Sequence, residues 1–201
     1  DFKMIYFNSD GQSSSLCGNG TRCLFSFALS LGIIKKTAKI EISEGIYRAT
    51  ISNRNLVSLK MKNIDDIFLF GNKAYLNSGS PHHVEMNENL NRISVKNKGS
   101  SIRFSSRYSP NGTNVNFFKK INDKKFQIRT YERGVEDETL SCGTGATAVA
   151  IAVHAMGLTT QSKIIIQTKG GELIISFKKS DTGYTNIFLE GPTRFVFKGE
   201  Y

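Results

Sequence analysis

The sequence predicts an α+β fold that is built from two similar units. Short β-type runs dominate the chain, and two helical segments, each followed by a glycine, interrupt them. Matching landmarks recur around both helices at a spacing of 125 residues. A pattern that is repeated in this way predicts an internal duplication, with the two units related by a pseudo-twofold axis. We place the boundary between the units near residues 62–66.

The predicted strands are bounded mostly by Gly, Asn, Asp or Ser, as strands of hairpins and meanders are. The tail from about Leu189 is expected to return to the first unit and to supply a strand to it. In chain order the predicted strands span residues 4–7, 39–43, 47–51, 57–61, 67–70, 92–95, 102–104, 115–121, 126–131, 163–167, 173–177, 185–189 and 194–197.

Two segments have helical spacing instead. Residues 18–31 and 143–156 place apolar side chains three or four positions apart, and Gly32 and Gly157 follow directly. A glycine after the last turn is a common end of a helix. Both segments are therefore predicted to be buried amphipathic helices.

The repeat rests on seven pairs of residues in the same order in both halves. Each half reads as a strand, a loop with Cys-Gly-x-Gly, a helix, a glycine, a strand, a glycine turn and a strand. Because glycine is common in this chain, with 18 residues, any single match is weak, whereas seven at one offset favour a duplication. The pairs are Tyr6 and Tyr131, Cys17 and Cys142, Gly18 and Gly143, Gly20 and Gly145, Gly32 and Gly157, Ile40 and Ile165, and Gly45 and Gly170.

Composition excludes several classes of protein. Of the 201 residues, 39% are hydrophobic and 22% are charged, as in ordinary globular proteins. The longest apolar stretch, residues 24–34, is too short to span a membrane. The net charge of +10 is spread in pairs with no basic stripe, so we expect no nucleic-acid partner. Because the chain starts at Asp1 with no Met and no signal peptide, we interpret it as the middle and end of a longer protein. The three cysteines are too few and odd in number for a disulfide framework, so we expect a reducing compartment, the cytoplasm.

The duplicated Cys-Gly-x-Gly predicts the chemistry. Each cysteine lies just before the N-terminus of a helix, where unpaired N–H groups and the helix dipole attract anions. This position favours the thiolate of Cys17 and of Cys142 and provides a cradle for a carboxylate. If the pseudo-twofold axis brings both thiols to one carbon from opposite faces, one can remove a proton while the other delivers one. The expected activity is that of a two-base racemase or epimerase.

The cysteines allow other interpretations. Cys23 is expected to be a buried, structural side chain on the helix. Cys17 and Cys142 could simply be small residues that cap helices, or could form a regulatory disulfide that blocks the chemistry. A metal site from the cysteines with His82 and His83 is possible by residue type, but no Cys-x-x-Cys spacing supports it, and we expect no metal.

Four motifs in this order resemble those of the diaminopimelate epimerase family. The resemblance covers essentially the whole chain, except that the family's N-terminal stretch is absent. The motifs are Asn8-Ser-Asp-Gly11 with Leu16-Cys-Gly-Asn-Gly-Thr-Arg-Cys23, Gly79-Ser-Pro-His82, Gly112-Thr-Asn-Val115, and Tyr131-Glu-Arg-Gly134 with Ser141-Cys-Gly-Thr-Gly-Ala146.

The resemblance implies two pseudo-symmetric domains, each a curved, mostly antiparallel sheet or barrel around a central helix. The first would comprise residues 1–62 together with 189–201, and the second would comprise residues 63–188. The absent stretch normally completes the first domain and supplies polar residues that bind the substrate. The resemblance also implies that the enzyme needs no pyridoxal or other cofactor.

The resemblance further assigns a role to each matching residue. Cys17 and Cys142 are implied as the acid/base thiols, with His82 assisting Cys17 and Glu132 assisting Cys142. The family often has Asn where Ser80 stands, which leaves one distal contact open. Backbone groups of Gly18, Asn19, Gly143 and Thr144 are implied to hold the reacting carboxylate, and Asn8, Asn114, Glu132 and Arg133 to recognise the distal amino-acid end.

The expected reaction is the interconversion of LL- and meso-2,6-diaminopimelate, in the pathway to lysine and peptidoglycan precursors. The partner would be this dicarboxylic diamino acid, with no membrane partner and with a homodimer as a possibility. The closest rival is a proline racemase or hydroxyproline epimerase, which usually has His at the position of Asn19. An amino-acid-binding protein on the same fold and a phenazine-pathway isomerase are disfavoured, because both cysteines are present.

Overall fold

A computed structural model shows a sheet-dominated α+β fold and confirms the predicted fold class. It describes residues 1–7, 11, 16–43, 45–52 and 56–200. The helices are α1 (Gly18–Ser30), α2 (Val95–Arg103) and α3 (Gly143–Ala155), with a short 3-10 helix at Ser106–Tyr108. The strands are β1 (Phe2–Lys3), β2 (Thr37–Ile42), β3 (Gly45–Ile51), β4 (Leu56–Lys60), β5 (Ile67–Phe70), β6 (Lys73–Asn77), β7 (Pro81–Met86), β8 (Asn114–Asn122), β9 (Lys125–Glu132), β10 (Asp137–Thr139), β11 (Lys163–Thr168), β12 (Gly171–Lys179) and β13 (Tyr184–Pro192).

Within these described ranges all thirteen strands belong to one sheet, and its order reflects the repeat. β1 pairs in parallel with β2, and antiparallel pairs then lead through β3 to β4. In the same way β9 pairs in parallel with β11, and antiparallel pairs lead through β12 to β13. β4 and β13 pair antiparallel, with Leu59 opposite Leu189. On each side of this central pair, two antiparallel pairings are therefore followed by one parallel pairing.

The sequence offset between the two halves changes by one residue after the helices. Gly32 and Gly157 both have a φ of 72°, in agreement with the offset of 125. After them the offset becomes 126, because β2 and β3 begin at 37 and 45 whereas β11 and β12 begin at 163 and 171. The predicted pairs of Ile40 with Ile165 and of Gly45 with Gly170 are thus wrong by one residue.

β13 connects the two halves of the sheet, since it pairs with β4 on one side and with β12 on the other. The division into residues 1–62 with 189–201, and 63–188, stays a prediction. Within the described residues no helix is both long and apolar enough to cross a membrane.

The two predicted helices form α1 and α3, but they are buried to different degrees. In α3 every residue from Gly143 to Val153 is buried, so this helix is a core helix rather than an amphipathic one. α1 buries Phe25 and Ala28 and leaves Phe27 exposed. Cys23 is exposed as well, so the expectation that it is a buried structural residue is wrong.

Three of the predicted strands are wrong. The segments 92–95 and 102–104 border α2, where Ser94 accepts a hydrogen bond from the Asn97 N–H and so caps the helix. Only Val95 and Gly99 of α2 are buried, and a glycine gives no apolar signal in the sequence. The segment 194–197 has no strand, because β13 ends at Pro192, which lacks an N–H for further pairing.

Other strands differ in extent or were missed. The strand expected at residues 4–7 is misplaced, because β1 spans Phe2–Lys3 and ends before the predicted segment begins. β6, β7 and β10 were not predicted. β7 was missed because it carries two histidines and a glutamate, all of them buried. In the sequence such a segment has the same polar pattern as a loop.

α2 packs against the sheet through Gly99, and this contact can be tested. A Cβ at this position would overlap Cβ and Cγ of the buried Tyr131. We expect Gly99→Ala to lower the free energy of unfolding by about 1–3 kcal/mol, as overpacking of a core does. Urea denaturation measures the change. Ser101→Ala, at an exposed position of the same helix, is the control and should leave stability nearly unchanged.

Candidate active site

The thiols of Cys17 and Cys142 cap the two repeated helices in the same way. Cys17 precedes α1, and its Sγ accepts a hydrogen bond from the Gly20 N–H at 3.3 Å. Cys142 precedes α3, and its Sγ accepts one from the Gly145 N–H at 3.4 Å. Both sulfurs therefore lie at the positive end of a helix dipole.

The two helix N-termini meet at a pair of glycines. A Cβ added at Gly18 would lie 3.5 Å from Cα of Gly143, and one added at Gly143 would lie 3.3 Å from Cα of Gly18. Either Cβ would also lie 2.9 Å from Cδ2 of Leu189, closer than atoms that are not bonded can approach. Glycine at both positions therefore allows the close approach that brings the cysteine-bearing turns together.

One cavity of about 480 Å³ opens on both turns. It contains nearly every residue that the sequence analysis assigned to the site, together with several that it did not. Its lining consists of Tyr6, Leu16, Cys17, Gly18, Asn19, Ser80, Arg103, Asn114, Glu132, Arg133, Gly134, Glu136, Ser141, Cys142, Gly143 and Thr144.

His82 stands behind the cavity wall and reaches Cys142 through Thr144. Asn116 donates a hydrogen bond from Nδ2 to Nδ1 of His82 at 3.0 Å, so the ring proton is on Nε2. His82 Nε2 therefore donates to the Thr144 hydroxyl at 3.0 Å, and this hydroxyl lies 3.4 Å from Cys142 Sγ. The family resemblance implies that His82 assists Cys17, but these hydrogen bonds connect it to Cys142.

The environment of Cys142 favours the neutral thiol. Burial, helped by the negative charge of Glu132, raises the pKa of Cys142 to about 12, although the Thr144 hydroxyl and the Gly145 N–H act in the opposite direction. The expectation that the helix N-terminus would make Cys142 a thiolate is therefore wrong in the unliganded protein, because desolvation outweighs the dipole. Burial also raises the pKa of Glu132.

The Cys17 side of the cavity has different partners. Tyr6 faces the cavity, and burial, together with the neighbouring Cys17, raises the pKa of this phenol to about 12. Asn19 donates a hydrogen bond from Nδ2 to the carbonyl oxygen of Ser141 at 2.8 Å. This bond links the first turn of α1 to the residue that precedes Cys142.

The far end of the cavity is cationic. Arg133 and Arg103 both donate to the carbonyl oxygen of Asn111, at 3.2 and 3.4 Å. Arg103 also forms a salt bridge with Glu136 at 3.1 Å, whereas Arg133 forms no ion pair among the described residues. Burial and the charge of Arg103 lower the pKa of Arg133. Arg133 is therefore the guanidinium that remains available to an anionic ligand.

Asn114 organises this end of the cavity. Its Nδ2 donates to Ser80 Oγ at 2.8 Å and to the Pro81 carbonyl oxygen at 3.0 Å. Its Oδ1 accepts a hydrogen bond from the backbone N–H of Arg133 at 2.9 Å. Ser80 Oγ in turn accepts a hydrogen bond from the Arg133 guanidinium at 3.4 Å. Asn114 thus fixes the position of Arg133.

Sequence reasoning found most of this cavity but not all of it. Asn8 lies outside the described residues. Arg103, Glu136 and Ser141 were not proposed, and Tyr6 was noted only as a landmark of the repeat. Arg103 was hidden because its segment had the pattern of a strand, although it ends α2. Within the described residues no three His, Cys, Asp or Glu side chains cluster closely enough to hold a metal ion.

Comparison with known proteins matches the chain to one family. The sequence model described as diaminopimelate epimerase matches residues 74–196. A diaminopimelate epimerase of Flavobacterium psychrophilum is 50% identical over 198 residues, which cover 98% of this chain and 77% of that protein. One of Aquifex aeolicus is 36% identical over 211 residues, which cover 99% and 74% of the two chains.

Solved structures with the same fold are more distant in sequence. A PhzF-family phenazine biosynthesis protein of Bacillus anthracis has a TM-score of 0.75 at 14% identity, covering 94% of this chain and 77% of that one. A hydroxyproline epimerase of Agrobacterium vitis has a TM-score of 0.70, also at 14% identity, covering 94% and 68%. At this identity the likeness is one of fold.

His82 predicts a specific dependence of stability on pH. Burial lowers its pKa to about 3, well below that of an exposed histidine. As the pH falls below about 6.5, the unfolded chain therefore binds a proton that the folded protein does not bind, and stability declines. His82 stabilises the fold fully above this pH and progressively less towards pH 3.

We expect His82→Gln to remove this contribution. Between pH 6 and 4.5 the free energy of unfolding of the wild type should fall by up to about 1.4 kcal/mol per pH unit more steeply than that of the variant. Urea denaturation at each pH measures both curves. Between pH 7.5 and 8.5 they should run parallel, as an internal control. Parallel curves in acid would show that His82 is protonated in the folded protein.

Proposed function

The chain belongs to the diaminopimelate epimerase family, and from this premise we propose that it interconverts LL- and meso-2,6-diaminopimelate by proton transfer between two thiols. The observation that carries the proposal is the pair of cysteine-capped helix N-termini, which meet at Gly18 and Gly143 and open on one cavity. A single thiol would suit a nucleophile, whereas two thiols related by pseudo-twofold symmetry suit inversion at a carbon between them.

The reaction is an exchange of one proton for another. A thiolate removes the α-hydrogen from one face, the C–H bond breaks, and its electron pair delocalises into the α-carboxylate. The opposite thiol then delivers its proton to the other face, so that the two sulfurs exchange protonation states. The N–H groups of Gly18, Asn19, Gly143 and Thr144, at the starts of α1 and α3, bind the carboxylate as its negative charge grows.

The partners of Cys142 support a role as proton donor in the first turnover. Burial favours the neutral form of Cys142, and we therefore assign the role of base to Cys17 for the substrate whose α-hydrogen faces α1. Once Cys142 has lost its proton, the hydrogen bonds from Thr144 and Gly145 stabilise the thiolate. His82 acts behind Thr144 by orienting that hydroxyl. Glu132 assists by keeping Cys142 protonated until the substrate arrives.

The far end of the cavity supports a substrate with a second carboxylate. Arg133 has no acidic partner among the described residues, and its planar donors match a carboxylate. Asn114 accepts the backbone N–H of Arg133, and Ser80, which Asn114 also bonds, accepts from the guanidinium. Glu132 suits the distal ammonium group of a diamino acid, and Asn8 remains proposed as a further contact. A substrate that carries a carboxylate and an amino group at both ends satisfies all these groups.

The rival functions fit the cavity less well. Proline and hydroxyproline have a single carboxylate and would leave Arg133 without a partner. The curated relatives at 50% and 36% identity are diaminopimelate epimerases, whereas the hydroxyproline epimerase shares 14% identity. A binding protein on this fold would have no need of two matched thiols.

We place the enzyme in the cytoplasm, because both thiols have to remain reduced for the reaction. All three cysteines of the chain are free. The small-molecule substrate is the only partner that we propose; a homodimer stays a prediction.

Deuterium uptake tests the function. In heavy water we expect the enzyme to incorporate deuterium into LL-diaminopimelate with inversion to the meso form, measured by mass spectrometry and chiral chromatography. Cys17→Ser and Cys142→Ser should each lower the rate of inversion at least about 100-fold, because each removes one of the two proton carriers. Cys23→Ser, at an exposed position, is the matched control and should retain full activity.

The proposal fails if the wild type exchanges no α-hydrogen of diaminopimelate, or exchanges that of proline faster. Inversion by either serine variant at the wild-type rate would contradict the two-thiol mechanism while leaving the substrate assignment in place.

Arg133 tests the recognition of the distal carboxylate. We expect Arg133→Lys to raise KM for diaminopimelate roughly 10- to 100-fold, as the loss of a charge-assisted hydrogen bond worth about 1.5–3 kcal/mol does, with a smaller effect on kcat. Steady-state kinetics measure both constants. Arg92→Lys, on the surface, is the control. An unchanged KM would mean that another group binds the distal carboxylate.

A further inference from the structure

Arg22 is a buried arginine that has no role in the proton transfer proposed above. It lies on α1, one turn after Cys17, and only 5% of its surface is exposed. Its Nη1 donates to the carbonyl oxygen of Gly18 at 3.1 Å, and its Nη2 donates to Oδ1 of Asn19 at 2.9 Å. No acidic side chain forms an ion pair with it in the part of the chain that the structure describes, and its Nε has no hydrogen-bond partner there.

Arg22 fixes which way the amide of Asn19 points. Because Oδ1 of Asn19 accepts from Arg22, its Nδ2 is directed to the carbonyl oxygen of Ser141, at 2.8 Å. The two bonds form a chain from α1 to the residue before Cys142, across 122 positions of sequence. Asn19 is thus a tie between the two cysteine-bearing turns, and Arg22 determines its orientation.

The repeat shows what is special about this arginine. The residue at the equivalent place on α3 is Thr147, whose hydroxyl donates to the Gly143 carbonyl at 3.0 Å. A threonine is therefore enough to bind this carbonyl in one half of the protein. The arginine of the other half has an additional donor, and that donor goes to Asn19.

The surrounding backbone makes room for this guanidinium. Gly191 of β13 lies against it: a Cβ at Gly191 would be 3.1 Å from both Cζ and Nε of Arg22. Nη1 would lie 3.7 Å from a Cβ at Gly143. Arg22 is therefore confined between α1, β13 and the start of α3, where it can hold one geometry of the two turns.

We propose that Arg22 is a positioning residue that, through Asn19, sets the two thiols on opposite sides of the same carbon. The inference rests on the proposed function and deepens it. When the tie is broken, the turn of Cys142 is no longer aligned with that of Cys17. A thiol that removes a proton then exchanges it with solvent and returns one to the same face.

This failure has a signature that lost stability does not produce. In heavy water a misaligned site incorporates deuterium with retention of configuration, so the ratio of exchange to inversion rises. Partial unfolding lowers exchange and inversion together and leaves their ratio unchanged. The ratio therefore reports the relative position of the two thiols.

The variants separate position from charge. We expect Arg22→Gln and Asn19→Ala each to raise the ratio of exchange to inversion at least about threefold. Arg22→Lys keeps the charge but cannot bond Gly18 and Asn19 with a planar fork, so it should behave like the glutamine variant. Thr147→Val loses the corresponding bond on α3 and is the matched control, with an unchanged ratio.

A double-mutant cycle shows whether Arg22 acts through Asn19. We expect Arg22→Gln to have no further effect on the ratio in an Asn19→Ala background, because the tie is already lost. Independent effects that multiply would overturn the proposal. A wild-type ratio in Arg22→Lys would overturn it too, since charge alone would then suffice.

A substrate-free measurement keeps this proposal separate from the proposed function. Dibromobimane becomes fluorescent when both of its bromine atoms are displaced by thiols, so in a Cys23→Ser background it reports bridging of Cys17 and Cys142. We expect Asn19→Ala and both Arg22 variants to lower the yield of bridged protein relative to single alkylation. Unchanged bridging would refute the tie even if diaminopimelate proved not to be the substrate, and any variant that does not fold leaves the other two to decide.

Discussion

The contact between Gly18 and Gly143 is the constraint on which the site depends. The first turns of the two helices lie side by side here, and a Cβ at either glycine would come within 3.3–3.5 Å of the other glycine's Cα and within 2.9 Å of Leu189 Cδ2. Leu189 of the central strand pair packs against both glycines. The sheet, through β4 and β13, thus determines the distance between the helices, and the helices determine where the thiols lie.

The same contact creates an electrostatic problem that the substrate resolves. Each helix N-terminus carries a partial positive charge of about half an elementary charge, so two of them side by side repel each other. The buried guanidinium of Arg22 adds a full positive charge nearby. In the proposed mechanism a bound carboxylate relieves this repulsion, and it does so most when negative charge accumulates on it during proton removal. An arrangement that is unfavourable for folding is in this way favourable for catalysis.

The elements that occur in both halves of the repeat could be predicted from the sequence, whereas several elements that occur in only one half were missed. The helices α1 and α3, their terminal glycines and the position of both cysteines follow from residue types that recur. β7 and α2 could not be recognised, because one is a buried strand of polar residues and the other has an apolar face that includes a glycine. The partners of His82 depend on contacts between distant segments: the parallel pairing of β7 with β8 brings Asn116 to the ring, and the packing of α3 against β7 brings Thr144 there. No local pattern contains that information.

The two halves differ where the chemistry requires it. The backbone frame around each thiol is nearly symmetric, since each sulfur caps its helix by the same bond. The polar partners are not symmetric: Cys142 has Thr144 and His82, whereas the turn of Cys17 has Asn19 and Arg22. In the mechanism that we propose, this symmetric frame brings two similar thiols to opposite faces of one carbon. Because a proton can move from one thiol and to the other only if they start in different protonation states, the asymmetric side chains are, in that mechanism, as necessary to inversion as the symmetric backbone.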